Sequence, residues 1–373
     1  MKFNDAMDRP IRVLHLSSES TWRGGEQQII YLVEETRKLG VEAVVACKED
    51  SAVAKYCEEN DLPYYALAFR SAYDFSTARE IIKITEIEHF DLIQTHTSKS
   101  HTMSVIAGLI GLRPPQIMTR RVDFPVKDNW FSRFKYNYSK IARIICISET
   151  IRKITEPDIK DKSKLVTIHS GTDTEKFAPY KNSNWLRRKY GLSEETIIIG
   201  NTSAISNQKD YPTFIETAQW IMRRELDVRF FIIGDGPQRE EIEALVETKG
   251  LSDKIQFTGF RKNIKEVLPS LDLFLFTSQT EGLGTSVLDA MAAGVPVVAT
   301  NAGGVSEMVN HKKNGMLCAI KNSECLSRSA LRILDTPEYA AELVEEGYKT
   351  VRNFSKEKTA ARTLELYKEV LSK

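Results

Sequence analysis

Strand-like and helix-like segments alternate along this chain in two successive series. The first series begins with an apolar run from Ile11 to Ser17, followed by a helical pattern from Glu26 to Leu39. The second series begins with a run from Thr196 to Asn201, followed by a helical pattern from Tyr211 to Arg223. Alternation of this kind predicts parallel sheets wound with helices. We therefore expect an α/β protein with two doubly wound, Rossmann-like domains that face each other across a cleft.

A polar stretch over residues 180–195, rich in Lys, Asn and Arg, interrupts the alternation. We place the domain boundary there, with an N-terminal domain over residues 1–180 and a C-terminal domain over residues 181–352. Residues 353–373 form a third segment, because the run from Ser355 to Leu371 has the apolar spacing of an amphipathic helix. This helix is expected to pack across the domain junction.

Shorter patterns predict the remaining elements of both domains. In the N-terminal domain we expect strands over 41–47, 91–95, 116–119 and 144–147, and helices from about 51 and over 101–112. In the C-terminal domain we expect strands over 228–233, 255–258, 271–276 and 295–300, and helices over 238–248 and up to 293. The elements of each domain thus alternate as a doubly wound sheet requires.

Composition and charge exclude several classes of protein. A hydrophobic content of 42% with 28% charged residues is typical of a folded globular protein, and 373 residues suffice for two domains. The formal net charge of +1 argues against a strongly basic nucleic-acid binder. No segment has the length of a membrane-spanning helix or the pattern of a secretory leader. Five cysteines without a Cys-x-x-Cys spacing are typical of the reducing cytoplasm, where we expect the protein to act.

A glycine-rich turn flanked by two carboxylates opens a helix in the C-terminal domain. Glu281 lies just before the turn, and Asp289 lies four residues after Thr285 on the same helical face. The N-terminus of a helix presents unpaired N–H groups and a partial positive charge, so the expected ligand is a phosphate. Acids beside a phosphate are explained if they accept hydrogen bonds from hydroxyls on the groups that flank it. A diphosphate with a sugar at either end meets this requirement.

Two polar sites follow strands of the N-terminal domain. Gly24 and Gly25 allow a ligand to approach backbone N–H groups closely, although a tight turn without a ligand is the alternative. His96 follows the strand that ends at Thr95, at the carboxyl edge where open parallel sheets bind ligands. A structural polar role explains this histidine equally well. The pattern G-x-G-x-x-G and its accompanying acid are missing from the sequence, which argues against a nicotinamide cofactor.

Lys209 is the one cation in the loop that ends the first strand of the C-terminal domain. Its side chain either neutralises a leaving phosphate or is an ordinary solvated lysine. Its position at a strand end, opposite the turn that contains Glu281, favours the first interpretation.

The segment from Arg113 to Arg143 combines eight basic residues with interleaved aromatic ones. This composition suits the surface of an anionic membrane, or docking of a lipid-linked or anionic acceptor. The alternative is a charged helix with its aromatic side chains in the core, and no recognised motif supports nucleic-acid binding. The residues proposed for the acceptor or membrane surface are Arg120, Arg121, Lys127, Trp130, Arg133 and Lys135.

Taken together, these residues resemble the retaining glycosyltransferases of the two-domain GT-B class, in family 4. Glu281 to Asp289 resembles the family's acid, seven residues, acid signature, and His96 matches the histidine after its strand. The further matches are Gly24-Gly25-Glu26, Gly171-Thr172-Asp173-x-x-Lys176-Phe177, Gly234-Asp235-Gly236-Pro237 and Asn301-Ala302-Gly303-Gly304-x-x-Glu307. The resemblance covers essentially the whole chain.

The resemblance implies transfer of a sugar from a nucleotide diphosphate-sugar, such as a UDP- or GDP-sugar, with retained anomeric configuration. The acceptor would be a polysaccharide, a glycolipid or a small molecule, held by the N-terminal domain, in the synthesis of cell-envelope glycans. The implied catalytic residues are Glu281, Lys209 and His96. The implied donor-binding residues are Gly24, Gly25, Gly234, Arg261, Gly282, Leu283, Gly284, Thr285, Ser286 and Asp289. The family generally needs no metal, and no cofactor is implied.

The sequence departs from the family pattern at two positions. Asp289 replaces the usual glutamate and shortens the reach to the ribose by one methylene. Ala204 stands where the family commonly has an arginine, and Arg261 is the candidate to replace its charge. Losing a cation at the leaving group costs several kcal/mol of transition-state stabilisation if nothing substitutes, roughly as for one lost oxyanion donor. The alternatives are a nucleotide-sugar-binding protein with weak or no activity, and an epimerase or phosphorylase of the same fold.

Overall fold

The structure, a computed structural model, describes residues 9–71 and 73–372. The chain folds into two compact units. The first unit contains the residues up to Gly171 together with those from Lys356 onward, and the second unit spans Thr172–Ser355. From the sequence alone, we expect these boundaries at residues 180 and 353.

The first unit is a parallel sheet of seven strands wound with helices. Its elements in chain order are β1 (Arg12–Ser17), α1 (Gly24–Lys38), β2 (Glu42–Lys48), α2 (Ala52–Glu59), β3 (Tyr64–Leu67), α3 (Phe75–Ile87), β4 (Leu92–Thr95), α4 (Ser98–Ile110), β5 (Gln116–Arg120), α5 (Trp130–Tyr136), β6 (Ile141–Cys146), α6 (Glu149–Thr155) and β7 (Leu165–Thr167). The strand order is β3-β2-β1-β4-β5-β6-β7. The direction of winding reverses between β1 and β4, which is where open sheets of this kind bind ligands.

The second unit repeats this architecture with six parallel strands. Its elements are α7 (Trp185–Tyr190), β8 (Ile197–Thr202), α8 (Tyr211–Met222), β9 (Val228–Ile233), α9 (Arg239–Thr248), β10 (Ile255–Gly259), α10 (Ile264–Val267), β11 (Leu273–Phe276), α11 (Thr285–Ala292), β12 (Val297–Thr300), β13 (Met316–Cys318), α12 (Ser323–Leu334) and α13 (Pro337–Val351). The strand order is β10-β9-β8-β11-β12-β13, so the reversal lies between β8 and β11. The expectation of two doubly wound α/β domains is confirmed.

Apolar strands and helix faces explain why each unit is stable. Strands β9 and β11 carry runs of Phe, Ile and Leu whose side chains are almost fully buried, as expected for strands covered on both faces. Side-chain caps begin several helices: Ser51 accepts from the N–H of Ala54, and Thr97 accepts from that of Ser100. The sheets therefore hold the strand ends, and the loops after them, in fixed positions.

The last helix, α14 (Lys356–Leu371), belongs to the first unit. Leu366 and Val370 join the apolar cluster that also contains residues of α1, and the hydroxyl of Tyr367 donates to Gln94 of β4. At its start, Lys356 lies 3.2 Å from the Glu35 carboxylate of α1. The C-terminal segment therefore completes the first sheet domain.

Two features differ from the sequence expectations. The polar stretch 180–195 contains the short helix α7, whose Leu186 is fully buried, so this stretch is part of the second unit's fold. Cys318 and Cys325 form a disulfide, because the end of β13 and the first turn of α12 bring their Cα atoms to 5.8 Å. Cys47, Cys57 and Cys146 are buried free thiols. Such bonds are rare in a reducing compartment, so the disulfide is an exception to the pattern that the three free thiols follow.

None of the helices in the described part of the chain combines the length and the apolar character needed to cross a bilayer.

Candidate functional site

The glycine-rich turn before α11 is the centre of the second unit's candidate site. It follows β11, and Gly284 occupies the N-cap position with a φ of 88°, in the region that favours glycine. Gly303 has a φ of 54°, and a Cβ there would lie 1.9 Å from the carbonyl oxygen of Glu281. The N–H of Gly304 donates to that same oxygen at 3.2 Å. The two glycines after β12 therefore hold the turn against the helix N-terminus.

The side chains of the turn divide into buried and accessible ones. Leu283 is buried, so its side chain packs inward and only its backbone is suited to a ligand contact. Thr285 and Ser286, at the first two positions of α11, are partly exposed. Because Gly284 has no side chain to cap the helix, the N–H groups of this first turn are suited to an anionic ligand.

Glu281 and Lys209, predicted separately from the sequence, form an ion pair. Lys209 Nζ donates to Glu281 Oε1, which also accepts from the Ser278 hydroxyl at 2.7 Å. Both side chains are largely buried, at 19% and 11% exposure. The hydroxyl of Thr277 donates to the Lys209 carbonyl at 2.9 Å and ties the two loops together. The sequence suggested Lys209 for a leaving phosphate and did not predict its contact with Glu281.

Asp289 is held by residues that the sequence analysis did not assign to the site. Lys176 Nζ lies 3.1 Å from each carboxylate oxygen of Asp289, and the Thr172 hydroxyl donates to Oδ1. Asp289 nevertheless remains partly exposed. The signal was present in the sequence as the Gly171 to Phe177 motif, but nothing in that motif indicates which acid its lysine contacts.

Gly234 and Arg261 lie at the ends of β9 and β10. A Cβ on Gly234 would lie 2.0 Å from the carbonyl oxygen of Ser203, so this glycine is required by the close packing of two neighbouring loops. Arg261 stacks on Trp185 of α7, with its guanidinium carbon 5.5 Å from the ring centroid. Its Nε is buried and makes no hydrogen bond with the described residues.

The first unit brings Gly25, His96 and Arg121 together at the carboxyl edge of its sheet. His96 Nε2 lies 3.0 Å from His15 Nδ1, and both rings are buried. Burial lowers the pKa of His15 to about 3 and lowers that of His96 well below its usual value. Arg121 Nη2 lies 3.5 Å from His96 Nδ1. Both imidazoles are therefore neutral at neutral pH, and His96 accepts from the arginine.

The basic and aromatic segment does not present all its predicted residues to solvent. Arg120 is 2% exposed, and its guanidinium donates to the Tyr136 hydroxyl and the Phe124 carbonyl. Lys135 is 8% exposed, and its ammonium donates to Thr102 at 2.8 Å. These two residues cannot form a surface for a membrane or acceptor, because the unit's own polar atoms already bind their charges.

The other residues proposed for that surface differ from one another in their exposure and in their contacts. Lys127, Trp130 and Arg133 are exposed, and Trp130 is 78% exposed. Arg133 pairs with Asp128 at 2.8 Å. Arg121 instead points to His96 and Ser170 within the unit.

A metal site is not evident in residues 9–71 and 73–372, where no group of three or more His, Cys, Asp or Glu side chains is placed to hold an ion.

Two family models match the chain and between them cover most of it. The model described as Glycosyltransferase Family 4 matches residues 22–176, and the model described as Glycosyl transferases group 1 matches residues 183–350. Each match therefore falls largely on one of the two sheet domains.

Curated relatives match over most of their length. N-acetyl-alpha-D-glucosaminyl L-malate synthase of Bacillus anthracis is 25% identical over 325 residues, which are 85% of this chain and 84% of the relative. The UDP-Gal:alpha-D-GlcNAc-diphosphoundecaprenol alpha-1,3-galactosyltransferase of Escherichia coli is 24% identical over 307 residues, 78% of this chain and 79% of that enzyme.

Solved structures confirm the architecture. Anabaena HepE in complex with UDP-glucose has a TM-score of 0.85 at 20% identity, covering 96% of this chain and 100% of that one. A glycosyltransferase from Rickettsia africae has a TM-score of 0.84 at 21% identity, covering 97% and 99%. At this identity the likeness shows the fold alone. With the motifs and the two family models, it leads to one conclusion: this chain belongs to glycosyltransferase family 4 and has the α/β, two-domain GT-B fold.

Proposed function

We propose that this glycosyltransferase moves a sugar from a nucleotide diphosphate-sugar to a glycan or lipid-linked acceptor and retains the anomeric configuration. The bond from the anomeric carbon to the donor phosphate breaks, and a bond to an acceptor hydroxyl oxygen forms on the same face of the sugar. The leaving nucleoside diphosphate takes the electron pair of the broken bond, and one of its oxygens accepts the proton that the acceptor hydroxyl loses.

The turn before α11 is the observation that carries this proposal. Gly284 leaves the N-terminus of α11 without a side-chain cap, while Glu281 before the turn and Asp289 in the helix provide carboxylate oxygens. A diphosphate on the helix N-terminus would be stabilised by the helix dipole. We assign Glu281 to the hydroxyls of the donor sugar and Asp289 to those of the ribose, since carboxylates accept hydrogen bonds from hydroxyls.

Lys209 is assigned to the leaving diphosphate. Its ammonium is bound to Glu281 and lies 5.5 Å from the centre of the Phe276 ring, so it is held in place before a ligand arrives. Fixed cations and helix N–H groups aimed at developing negative charge lower a reaction barrier without reorganisation. We propose that these groups perform the neutralisation for which other transferases use a metal ion. In the first unit, we assign His96, Gly24 and Gly25 to contacts with the donor.

The relatives support a UDP-sugar donor and an envelope acceptor. HepE is solved with UDP and with UDP-glucose, and the Escherichia coli relative uses UDP-Gal and a diphosphoundecaprenol-linked sugar, by their names. The Bacillus anthracis relative is named for an L-malate product, so a small acceptor is the alternative. We propose a UDP-sugar, with a GDP-sugar as the second choice.

The exposed part of the basic and aromatic segment supports contact with an anionic membrane. Trp130, Phe124 and Phe134 are exposed in the same stretch as Lys127 and Arg133. Aromatic rings that enter the interface and cations that attract anionic headgroups are the features of peripheral binding. We propose that the protein acts in the cytoplasm, at the inner face of the membrane that holds its acceptor.

A donor screen tests the proposed reaction. The protein is first melted with UDP, GDP and ADP, because a ligand that binds the folded state raises the melting temperature. It is then incubated with sugars of the selected nucleotide and with lipid-linked and small acceptors, and the product anomer is determined by NMR. An α-product from an α-linked donor is expected. Inversion, or hydrolysis without transfer under every condition, would contradict the proposal.

A nucleotide-sugar-binding protein with weak activity is the second candidate. Asp289 is already engaged by Lys176 and Thr172, and Ala204 provides no charge at the position where the family has arginine. Calorimetric binding of UDP-sugars without release of UDP would favour this candidate.

A further inference from the structure

Three neighbouring strands of the first unit bring three chemically distinct groups to one edge of the sheet. Gly25 lies in the first turn of α1 after β1, His96 follows β4, and Arg121 follows β5. The strands β1, β4 and β5 are adjacent, and the winding reverses between the first two. This is the edge at which doubly wound sheets bind their ligands.

Arg121 is partly buried, and its hydrogen-bond partners at this edge are neutral groups. Nη1 donates to the Ser170 hydroxyl at 3.1 Å, and Nη2 lies 3.5 Å from Nδ1 of His96. Its Cδ would lie 3.8 Å from a Cβ on Gly25, so the side chain runs alongside the start of α1. Two of the five guanidinium N–H groups thus have neutral acceptors.

An acid acts on the charge of Arg121 without forming a direct ion pair with it. No carboxylate in the described part of the chain forms an ion pair with Arg121, and Arg121 Nε is buried without a hydrogen-bond partner. Glu26 is the acid whose charge acts on it, but a Glu26 oxygen already accepts from the N–H of Arg23 at 3.0 Å. His15 and His96 are neutral and offer no negative charge.

An arginine in such surroundings destabilises the free protein unless something compensates. Removing a charge from water is costly, and the cost is recovered only by an opposite charge with good hydrogen bonds. Guanidinium groups bind phosphate and carboxylate through two parallel N–H donors. The first turn of α1, a helix of 15 residues, adds the positive end of its dipole beside the same side chain.

We propose that Arg121 binds an anionic oxygen group of a substrate, a phosphate or carboxylate, at the carboxyl edge of the first unit's sheet. The proposal rests on the proposed function for the identity of that substrate. The anion is either the diphosphate of the donor or an acidic group of the acceptor. It also explains the arginine's orientation away from the exposed aromatic surface.

The test compares the full-length wild-type protein with its Arg121→Gln variant. The Arg79→Gln variant, which removes an exposed arginine of the same unit, is the control. Calorimetry measures binding of UDP and uridine, and then of inorganic phosphate to the protein saturated with UDP. If the donor is the source, Arg121→Gln weakens UDP binding by about 10-fold to 100-fold and leaves uridine unchanged. If the acceptor is the source, UDP binding is unchanged and phosphate binding falls by a similar factor.

Thermal stability separates this role from a structural one. Because the charge makes no direct ion pair in the free protein, Arg121→Gln should melt at or above the wild-type temperature, as often occurs at functional sites. A lower melting temperature with unchanged binding of both anions would overturn the proposal. If Arg121→Gln does not fold, Arg121→Lys is measured instead, and binding of the same anion should still weaken, because a lysine cannot form the two parallel bonds.

The result also distinguishes this proposal from the proposed function. Wild-type protein that binds phosphate through Arg121 but neither binds nor turns over any nucleotide-sugar would contradict the function alone. Wild-type protein that binds neither UDP nor phosphate would contradict the assignment of Arg121.

Discussion

Lys176 donates to both carboxylate oxygens of Asp289, at 3.1 Å each. The lysine side chain is 10% exposed and lies 4.8 Å from the centre of the Phe177 ring, which is fully buried. Asp289 is the residue that shortens the family's second acid by one methylene. The lysine therefore fixes the position of the carboxylate that we assign to the ribose.

Lys176→Met should impair donor binding more than the chemical step. Without the ammonium, the Asp289 carboxylate loses two charge-assisted hydrogen bonds and its fixed orientation. We expect KM for the donor to rise by about 3-fold to 30-fold, the range of one such bond, while kcat changes little. Steady-state kinetics with Lys189→Met, an exposed lysine of the same unit, as control would check this. Unchanged KM would show that Lys176 does not position the acid for a ligand.

Gly303→Ala should disrupt the turn before α11. An alanine Cβ at this position would lie 1.9 Å from the Glu281 carbonyl oxygen, so the turn or the Gly303 loop must move. Gly250→Ala is a matched control, because Gly250 also has a positive φ but faces open space. The control should lose roughly 1 to 2 kcal/mol of unfolding free energy from its left-handed backbone. Urea unfolding should show a larger loss for Gly303→Ala, and equal losses would contradict the packing described here.

Stability should fall as the pH is lowered below neutrality, in part because of His101. This buried histidine packs edge-on against Tyr136, and burial lowers its pKa to about 3. Between that value and about 6.5, the ordinary histidine pKa, the unfolded chain binds a proton that the folded protein excludes. The unfolding free energy therefore rises with pH in this window. The contribution of His101 to stability is lost as the pH falls.

His101→Phe should reduce this pH dependence. The slope of the unfolding free energy should decrease by up to about 1.4 kcal/mol per pH unit between pH 6 and pH 5, from the loss of one titrating group. Urea titrations at several pH values measure it. An unaltered slope would mean that His101 is protonated in the folded protein.

Trp130→Ser should weaken binding to anionic vesicles. Trp130 is the most exposed of the large apolar side chains in the basic and aromatic segment. Removing its ring takes away an apolar side chain that would enter the membrane interface. The partition coefficient should fall several-fold, which corresponds to about 1 to 2 kcal/mol for the apolar surface that is no longer buried. Ile87→Ser, which removes an exposed apolar side chain from α3, is the control. Equal vesicle binding by wild type and both variants would exclude this surface as a membrane contact.

Much of the fold follows from the sequence, because long apolar strands and regular helices have strong periodic patterns. The strand Val228–Ile233 is found with the same bounds in sequence and structure. The strands Tyr64–Leu67 and Leu165–Thr167 are missed, since they are short, lie at the two edges of the sheet and are only partly buried. The helix Trp185–Tyr190 is missed because a single buried leucine anchors an otherwise polar turn.

The candidate site could be predicted only in part. Glu281, Lys209 and the turn are recognisable because glycines and charges at strand ends form local patterns. The burial of Arg120 and Lys135 depends on which way each side chain leaves its element, and composition does not specify that. The contact of Lys176 with Asp289 joins residues 113 positions apart, so only the folded chain shows it.

Release of nucleoside diphosphate from UDP-sugars by wild type and Glu281→Gln tests the central claim most directly. The glutamine keeps the shape of the side chain but removes the charge that binds Lys209 and is assigned to the sugar hydroxyls. With an acceptor present, wild type should turn over, and the variant should lose about 100-fold or more of kcat while still binding UDP. Equal rates for both proteins, or no release by wild type from any donor, would contradict the account.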